Sequence, residues 1–272
     1  MLGFDCRRGN GTQLATPPCG NGSEFEFSYV NSLSAPPSIY FHIRRQSCAA
    51  APIPPTLLKI KQPLKLDPMK PDFNLSPTQM APVVRSVDGS RSVDSMKWGL
   101  IPEWSLEFTT KLSTINAKSG TMFETELYRK AILQRRCIVP MSGFIEWKKD
   151  GLTKRPFKIY QKVSPIMALA GIWTSWRAGS PEEGRSFSIM TTAANDLMSK
   201  IHDRMPVILD AKDWDQWLDP EVHEPAVIVT RLKPCPTELL DCCEFSTLIN
   251  SPKNNRAEVL EPLKVGLELK SP

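Results

Sequence analysis

The chain has 272 residues, 41% of them hydrophobic, and a formal net charge of +5. That length suits one large domain or two small ones, and the apolar share is ordinary for a globular protein. The charge is uneven: residues 1–70 carry 8 Lys/Arg against 4 Asp/Glu and the remainder 26 against 25, so net charge alone makes no case for nucleic acid.

Residues 1–73 differ from the rest of the chain. Twelve of the 25 prolines fall within the first 82 residues, while all seven tryptophans lie between Trp98 and Trp217. Tryptophan buries much area per residue, so its distribution marks the core. The run from Ala49 to Pro55 holds three prolines and suits neither a regular helix nor a central strand. Short strands are predicted at Glu24–Tyr29 and Ser38–Arg44, inside a segment that otherwise reads as irregular.

From Val83 onward the pattern is compact. Ser95 to Ile101 reads as a strand ending in a Trp-Gly turn. Met122 to Arg136 places Phe123, Leu127, Ala131 and Leu133 at helical spacing. Strands are predicted at Cys137–Trp147, broken by Ser142-Gly143, then at Pro156–Val163, Ile166–Trp173 and Arg185–Thr192. A short helix from Ala193 to Lys200 comes next, then a strand from Met205 to Leu209. Asp210 can cap a helix carrying Trp214 and Trp217. Strands outnumber helices in mixed order, which predicts an α+β domain around a strongly curved sheet.

Several chemistries are excluded or disfavoured. The seven cysteines, at positions 6, 19, 48, 137, 235, 242 and 243, form no C-x-x-C pair. With only three histidines, a metal site is not expected. No phosphate-binding glycine motif occurs, so no cofactor is expected. The nearly apolar run from Pro165 to Trp173 is too short to span a bilayer, and no secretory signal opens the chain. A reducing location, nucleus or cytoplasm, fits this cysteine usage.

Three polar residues stand out. His202 lies at a predicted helix-to-strand join, in Ile-His-Asp-Arg-Met-Pro, where an imidazole can act as acid, base or phosphate contact. The plainer reading is a histidine closing the helix C-terminus. Glu146 sits in Gly-Phe-Ile-Glu-Trp, where desolvation could make it a general acid; simple strand alternation is the alternative. Asn116, in Ile-Asn-Ala-Lys, can donate and accept hydrogen bonds, or simply occupy a turn. Basic pairs recur at Arg129-Lys130, Arg135-Arg136, Lys148-Lys149 and Lys154-Arg155, with Trp98 and Trp104 flanking Gly-Leu-Ile-Pro. Basic groups with exposed aromatics are the usual footprint for single-stranded nucleic acid, though most such clusters are only solvated faces.

These pieces resemble one family in order and spacing. Phe73-Asn74-Leu75-Ser76-Pro77 resembles its Tyr-Asn-x-x-Pro segment, and Trp98-Gly99-Leu100-Ile101-Pro102-x-Trp104 its Trp-Gly-Leu-x-Pro-x-Trp motif. Asn116-Ala117-Lys118 resembles Asn-Ala-Arg. Arg136-Cys137 through Glu146-Trp147 resembles Arg-Cys-x-x-Pro-x-x-Gly-Phe-x-Glu-Trp. Ile201 to Pro206 is the most diagnostic hexapeptide, and Asn250-Ser251-Pro252-x-Asn254 resembles the closing segment. The chain resembles the SRAP (SOS response-associated peptidase) family.

The resemblance implies an SRAP domain at 74–263, with a barrel-like mixed sheet and surrounding helices, and a short tail at 264–272. It implies abasic sites in single-stranded DNA as the partner, within the DNA damage response. It also implies covalent shielding of the lesion. In the family, the α-amine of an N-terminal cysteine attacks the abasic aldehyde and the thiol closes a thiazolidine. Autoproteolysis by the same cysteine is proposed for the family. Carried over, Asn116 would position the amine, Glu146 would shuttle protons, and His202 would contact phosphate or sugar. Trp98, Trp104, Lys118 and Arg204 would line the strand's groove.

The match departs at the start. Family members begin Met-Cys-Gly-Arg; this chain begins Met1-Leu2-Gly3-Phe4. Leu2 is bulky, so Met1 is expected to stay. Were the first 18 residues removed, Cys19, followed by Gly20, would become the candidate nucleophile. Three alternatives to crosslinking stay open. One is a non-catalytic single-strand-binding paralogue, and another is an N-terminally altered isoform. The last is a thiol hydrolase using Cys137.

Overall fold

The computed structural model describes residues 72–261 and 263. The strands predicted at Glu24–Tyr29 and Ser38–Arg44, and Cys19 with them, lie outside these residues.

The first two strands form a hairpin, β1 (Met80–Val87) and β2 (Ser90–Trp98), in register from Met80↔Lys97 to Val87↔Ser90. Their turn is Asp88-Gly89, both at positive φ (48° and 70°), the backbone a two-residue hairpin loop demands. β3 (Asn116–Lys118) comes after a long loop, and α1 (Glu126–Gln134) leads directly into β4 (Arg136–Met141). Next come β5 (Phe144–Asp150), β6 (Thr153–Gln161), β7 (Met167–Trp176) and β8 (Gly184–Ala193). β9 (Arg204–Pro206), α2 (Trp214–Leu218), α3 (Pro225–Val229) and β10 (Leu240–Glu244) complete the regular elements.

The main sheet runs β2-β1-β4-β7-β8 and closes on itself. The closure is a short parallel pairing of β2 with β8, Lys97↔Ser186 and Trp98↔Phe187. A five-stranded barrel results, and the expected α+β fold with a curved, barrel-like core holds. β3 and β9 attach to β8 near its C-terminal end, β3 parallel at Asn116↔Ile189 and β9 antiparallel at Thr191↔Pro206. A second sheet, β10-β6-β5, lies beside the barrel.

Alternation along the strands makes two cores. Ala81, Val83, Met96, Trp98, Cys137, Val139, Phe187 and Ile189 pack together from one face of the barrel strands. The other face, with Ile138, Ala170, Ile172 and Met190, packs on Ala131 and Ile132 of α1 and Trp217 of α2. Arg136 ties the two helices: its buried guanidinium donates to the carbonyls of Ile132 (2.8 Å), Leu133 (2.9 Å), Trp217 (2.6 Å) and Asp219.

Some local expectations shift. The predicted helix at Ala193–Lys200 is only a 3-10 turn, Met198–Lys200. Asn195 explains this: its Oδ1 accepts from Met198 N (3.0 Å) while its Nδ2 donates to Cys235 O (2.9 Å), a side-chain geometry that competes with helix. The helix predicted from Met122 begins at Glu126. Asp210 does cap as predicted, accepting from Lys212 N, but it caps a 3-10 turn that precedes α2. No helix among the described residues is long and apolar enough to cross a membrane.

Candidate functional site

The cleft is built where the two sheets meet. On β3, residue alternation buries Ala117 completely and turns Asn116 and Lys118 to the other side. β8 sets their height through the pair Lys118↔Thr191. Glu146 comes from the second sheet, where β5 buries Phe144 and Ile145 and leaves Glu146 half-buried opposite Phe157. His202 sits on the turn between the 3-10 helix and β9, its N–H donating to Met198 O at 2.8 Å. Arg204 opens β9 and pairs with Ala193.

Asn116, Lys118, Glu146, Thr191, His202 and Arg204 line one cavity of about 380 Å³. A larger lobe, about 850 Å³, shares Asn116, Glu146 and His202 with it and opens towards Pro77, Lys149 and Lys154. A third hollow, lined by Trp104, Leu112 and Tyr128, touches the first at Ser113. The three hollows adjoin as a trough, the first two sharing Asn116, Glu146 and His202 and the third meeting the first at Ser113. Lys118 and Arg204 line one of the two lobes that share Glu146, and Lys149 and Lys154 line the other, which suits a chain of phosphates.

The side chains are held in place. Arg204 Nη2 donates to Thr191 O at 2.5 Å and to Thr191 Oγ1 at 3.0 Å. His202 Nδ1 lies 3.1 Å from Arg204 N and 3.3 Å from Arg204 O, so the ring is anchored to β9 through that nitrogen. Asp203 Oδ1 lies 3.0 Å from the same nitrogen. Asn116 Oδ1 is buried without a hydrogen-bond partner, on a residue that lines the cleft. A buried acceptor left unmade costs about 1–3 kcal/mol, so it is a natural place for a ligand donor.

The structure brings Asn116, Glu146, His202, Lys118 and Arg204 to one cavity and places Trp98 away from it. That indole is 1% exposed and packs inside the barrel, so it offers no face to a strand. Its Nε1 instead donates to Ile115 O at 2.9 Å, which fixes the residue before Asn116. Trp104 is 64% exposed at the end of the trough. Thr191, which sequence reading missed, organises two cations; only its strand register marks it. Cys137 is no candidate nucleophile, since complete burial pushes its thiol far above the usual range. Cys235 is pushed up to about 11, with burial the largest cause. Among the described residues, no group of three or more His, Cys, Asp or Glu is placed to hold a metal ion.

Comparison with known proteins adds an independent finding. The family described as SOS response associated peptidase (SRAP) matches residues 45–252. Abasic site processing protein YoqW of Bacillus subtilis is 35% identical over 192 residues, covering 70% of this chain and 86% of that protein. Abasic site processing protein HMCES of Xenopus tropicalis is 30% identical over 226 residues, covering 71% and 67%. A crystal structure of a protein from Bacteroides thetaiotaomicron superposes with a TM-score of 0.61 at 36% identity, covering 68% of this chain and 82% of that one.

Proposed function

The chain belongs to the SRAP family, and from that premise we propose that it binds abasic sites in single-stranded DNA along the trough centred on Asn116, Glu146 and His202. One observation carries the reading. Three polar residues from separate elements meet in one cleft, and Lys118 and Arg204 share it. A buried, unpartnered acceptor at Asn116 and cations in both lobes suit a polar, phosphate-bearing ligand.

An abasic site lacks its base, so stacking cannot anchor it. What it offers instead is an aldehyde in the ring-opened sugar, hydroxyls and flanking phosphates. Arg204 and Lys118 take phosphates. Trp104 supplies a stacking face for a neighbouring base. His202 reaches sugar or phosphate oxygen. Glu146 moves a proton as the sugar opens.

The covalent step of the family reading needs an α-amine and a thiol on one cysteine. The described cysteines, Cys137, Cys235, Cys242 and Cys243, are internal and cannot supply that pair. Shielding by a thiazolidine therefore requires an N-terminal cysteine generated outside the described residues, Cys19 being the candidate. Without it, the same cleft serves as a binding module. The test is incubation with a single-stranded oligonucleotide bearing one abasic site, read on a denaturing gel with N-terminal sequencing. A stable shifted band with a new N-terminal cysteine supports covalent shielding. Binding in a native gel without that band supports the module. Absence of both overturns the proposal.

A further inference from the structure

Lys118 places a primary amine in the cleft that the proposed function assigns to an aldehyde-bearing lesion. β3 puts it two residues from Asn116, on the same side of the strand, with buried Ala117 between them on the other. Its ammonium makes no ion pair among the described residues, although Glu146 lines the same cavity. Thr191, its register partner, is fixed from the far side by Arg204. The amine thus lies among a proton carrier (Glu146), an unpartnered acceptor (Asn116 Oδ1) and an imidazole donor (His202). A cation that served only to hold phosphate would need none of these.

We propose that Lys118 is itself a nucleophile, forming an imine with the abasic aldehyde and so giving the chain a strand-cleaving activity that needs no cysteine. This rests on the abasic-site reading of the cleft. In its neutral form the Lys118 amine adds to C1′ of the ring-opened sugar, making the N–C1′ bond while the carbonyl oxygen takes a proton. Nitrogen then loses its protons and the new hydroxyl leaves as water, one proton passing through Glu146. Asn116 Oδ1 accepts the N–H of the addition intermediate. In the imine, the C2′ proton is acidic. Its loss to water gives the C1′=C2′ enamine, whose electron pair then forms C2′=C3′ as the C3′–O bond breaks and the 3′ phosphate leaves. Water then hydrolyses the imine and returns the free amine.

The test uses the full chain, a 5′-labelled single-stranded oligonucleotide with one abasic site, and sodium borohydride, which reduces an imine to a stable amine. Wild type, Lys118→Arg and Lys118→Ala are compared at saturating protein, so that changes in affinity do not enter the yield. Native gels on abasic and undamaged strands run alongside. The expected result is a band that survives denaturation only with borohydride, maps to Lys118 by peptide mass, and falls at least about tenfold in both variants. Arginine keeps the charge but cannot form the imine, so it separates chemistry from phosphate contact. An undiminished band in Lys118→Arg, a band mapping to another residue, or no band while the abasic strand is bound would each overturn the proposal. Equal native-gel affinity for abasic and undamaged strands would instead bring down the underlying reading.

Discussion

Arg204 and Thr191 are joined through both oxygens of the threonine, the Arg204 Nη2 donating to the carbonyl at 2.5 Å and to the hydroxyl at 3.0 Å. Thr191 also pairs with Lys118 across β3 and β8. One threonine on the barrel strand therefore sets the spacing of two cations in the cleft. Thr191→Val keeps the shape and removes the hydroxyl. Affinity for single-stranded DNA is expected to fall about fivefold, the equivalent of about 1 kcal/mol. Fluorescence anisotropy at fixed salt measures it, and unchanged far-ultraviolet circular dichroism excludes unfolding.

Salt dependence reports the phosphate contacts. Each cation that neutralises a phosphate on a single strand contributes about 0.7 to the slope of log affinity against log salt. Lys154→Ala, in the wide lobe, is expected to lower the slope by about that amount. Leaving the slope unchanged would place Lys154 off the strand's path.

Much of the fold is legible in sequence. β7 and β8 are apolar or alternating runs, and the break at Ser142-Gly143 falls between β4 and β5 as expected. β1 goes unseen, although Asp88-Gly89 is a strong hairpin signal. β3 is three residues long and β10 is an edge strand, so neither carries enough periodicity. Trp98 reads as exposed beside Trp104 because no local pattern distinguishes the two; only barrel closure at Trp98↔Phe187 buries it. The convergence of Asn116, Glu146 and His202 depends on pairings between distant strands, which one sequence does not display without a family resemblance.

The loop carrying Trp104 has its own anchor. Phe108 packs on Trp176 with ring centres 5.6 Å apart, Lys97 Nζ donates to Phe108 O at 2.8 Å, and Trp176 Nε1 donates to Ser105 O at 2.7 Å. A Cβ at Gly184 would lie 2.5 Å from the Phe108 ring. Gly184→Ala must therefore swing the ring away. Stability is expected to fall about 1–3 kcal/mol. Limited proteolysis within 102–113 should accelerate, with little change elsewhere.

Acid stability has one named contributor. Glu183 accepts from Gly179 N (3.0 Å), Ser175 Oγ (2.7 Å) and Arg185 Nε (2.9 Å), which together hold its carboxyl down to about 2 from 4.5. The folded value lies below the unfolded one. Its stabilisation is therefore fully present above about pH 4.5 and lost as pH falls towards 2. Glu183→Gln is expected to lower Tm at pH 7, with the gap to wild type closing between pH 4.5 and 2. A constant gap over that range would show that Glu183 does not act through its charge.

Recognition of the abasic lesion by the cleft at Asn116, Glu146 and His202 is open to direct measurement. The direct measurement is the ratio of Kd values for two single-stranded oligonucleotides, one undamaged and one with a central abasic site, at one salt concentration. It is made for wild type and for Asn116→Ala. Tighter binding of the abasic strand by wild type, about tenfold or more, is expected, with a ratio near one for Asn116→Ala, which removes the amide. A wild-type ratio of one, or a ratio untouched by Asn116→Ala, would contradict it.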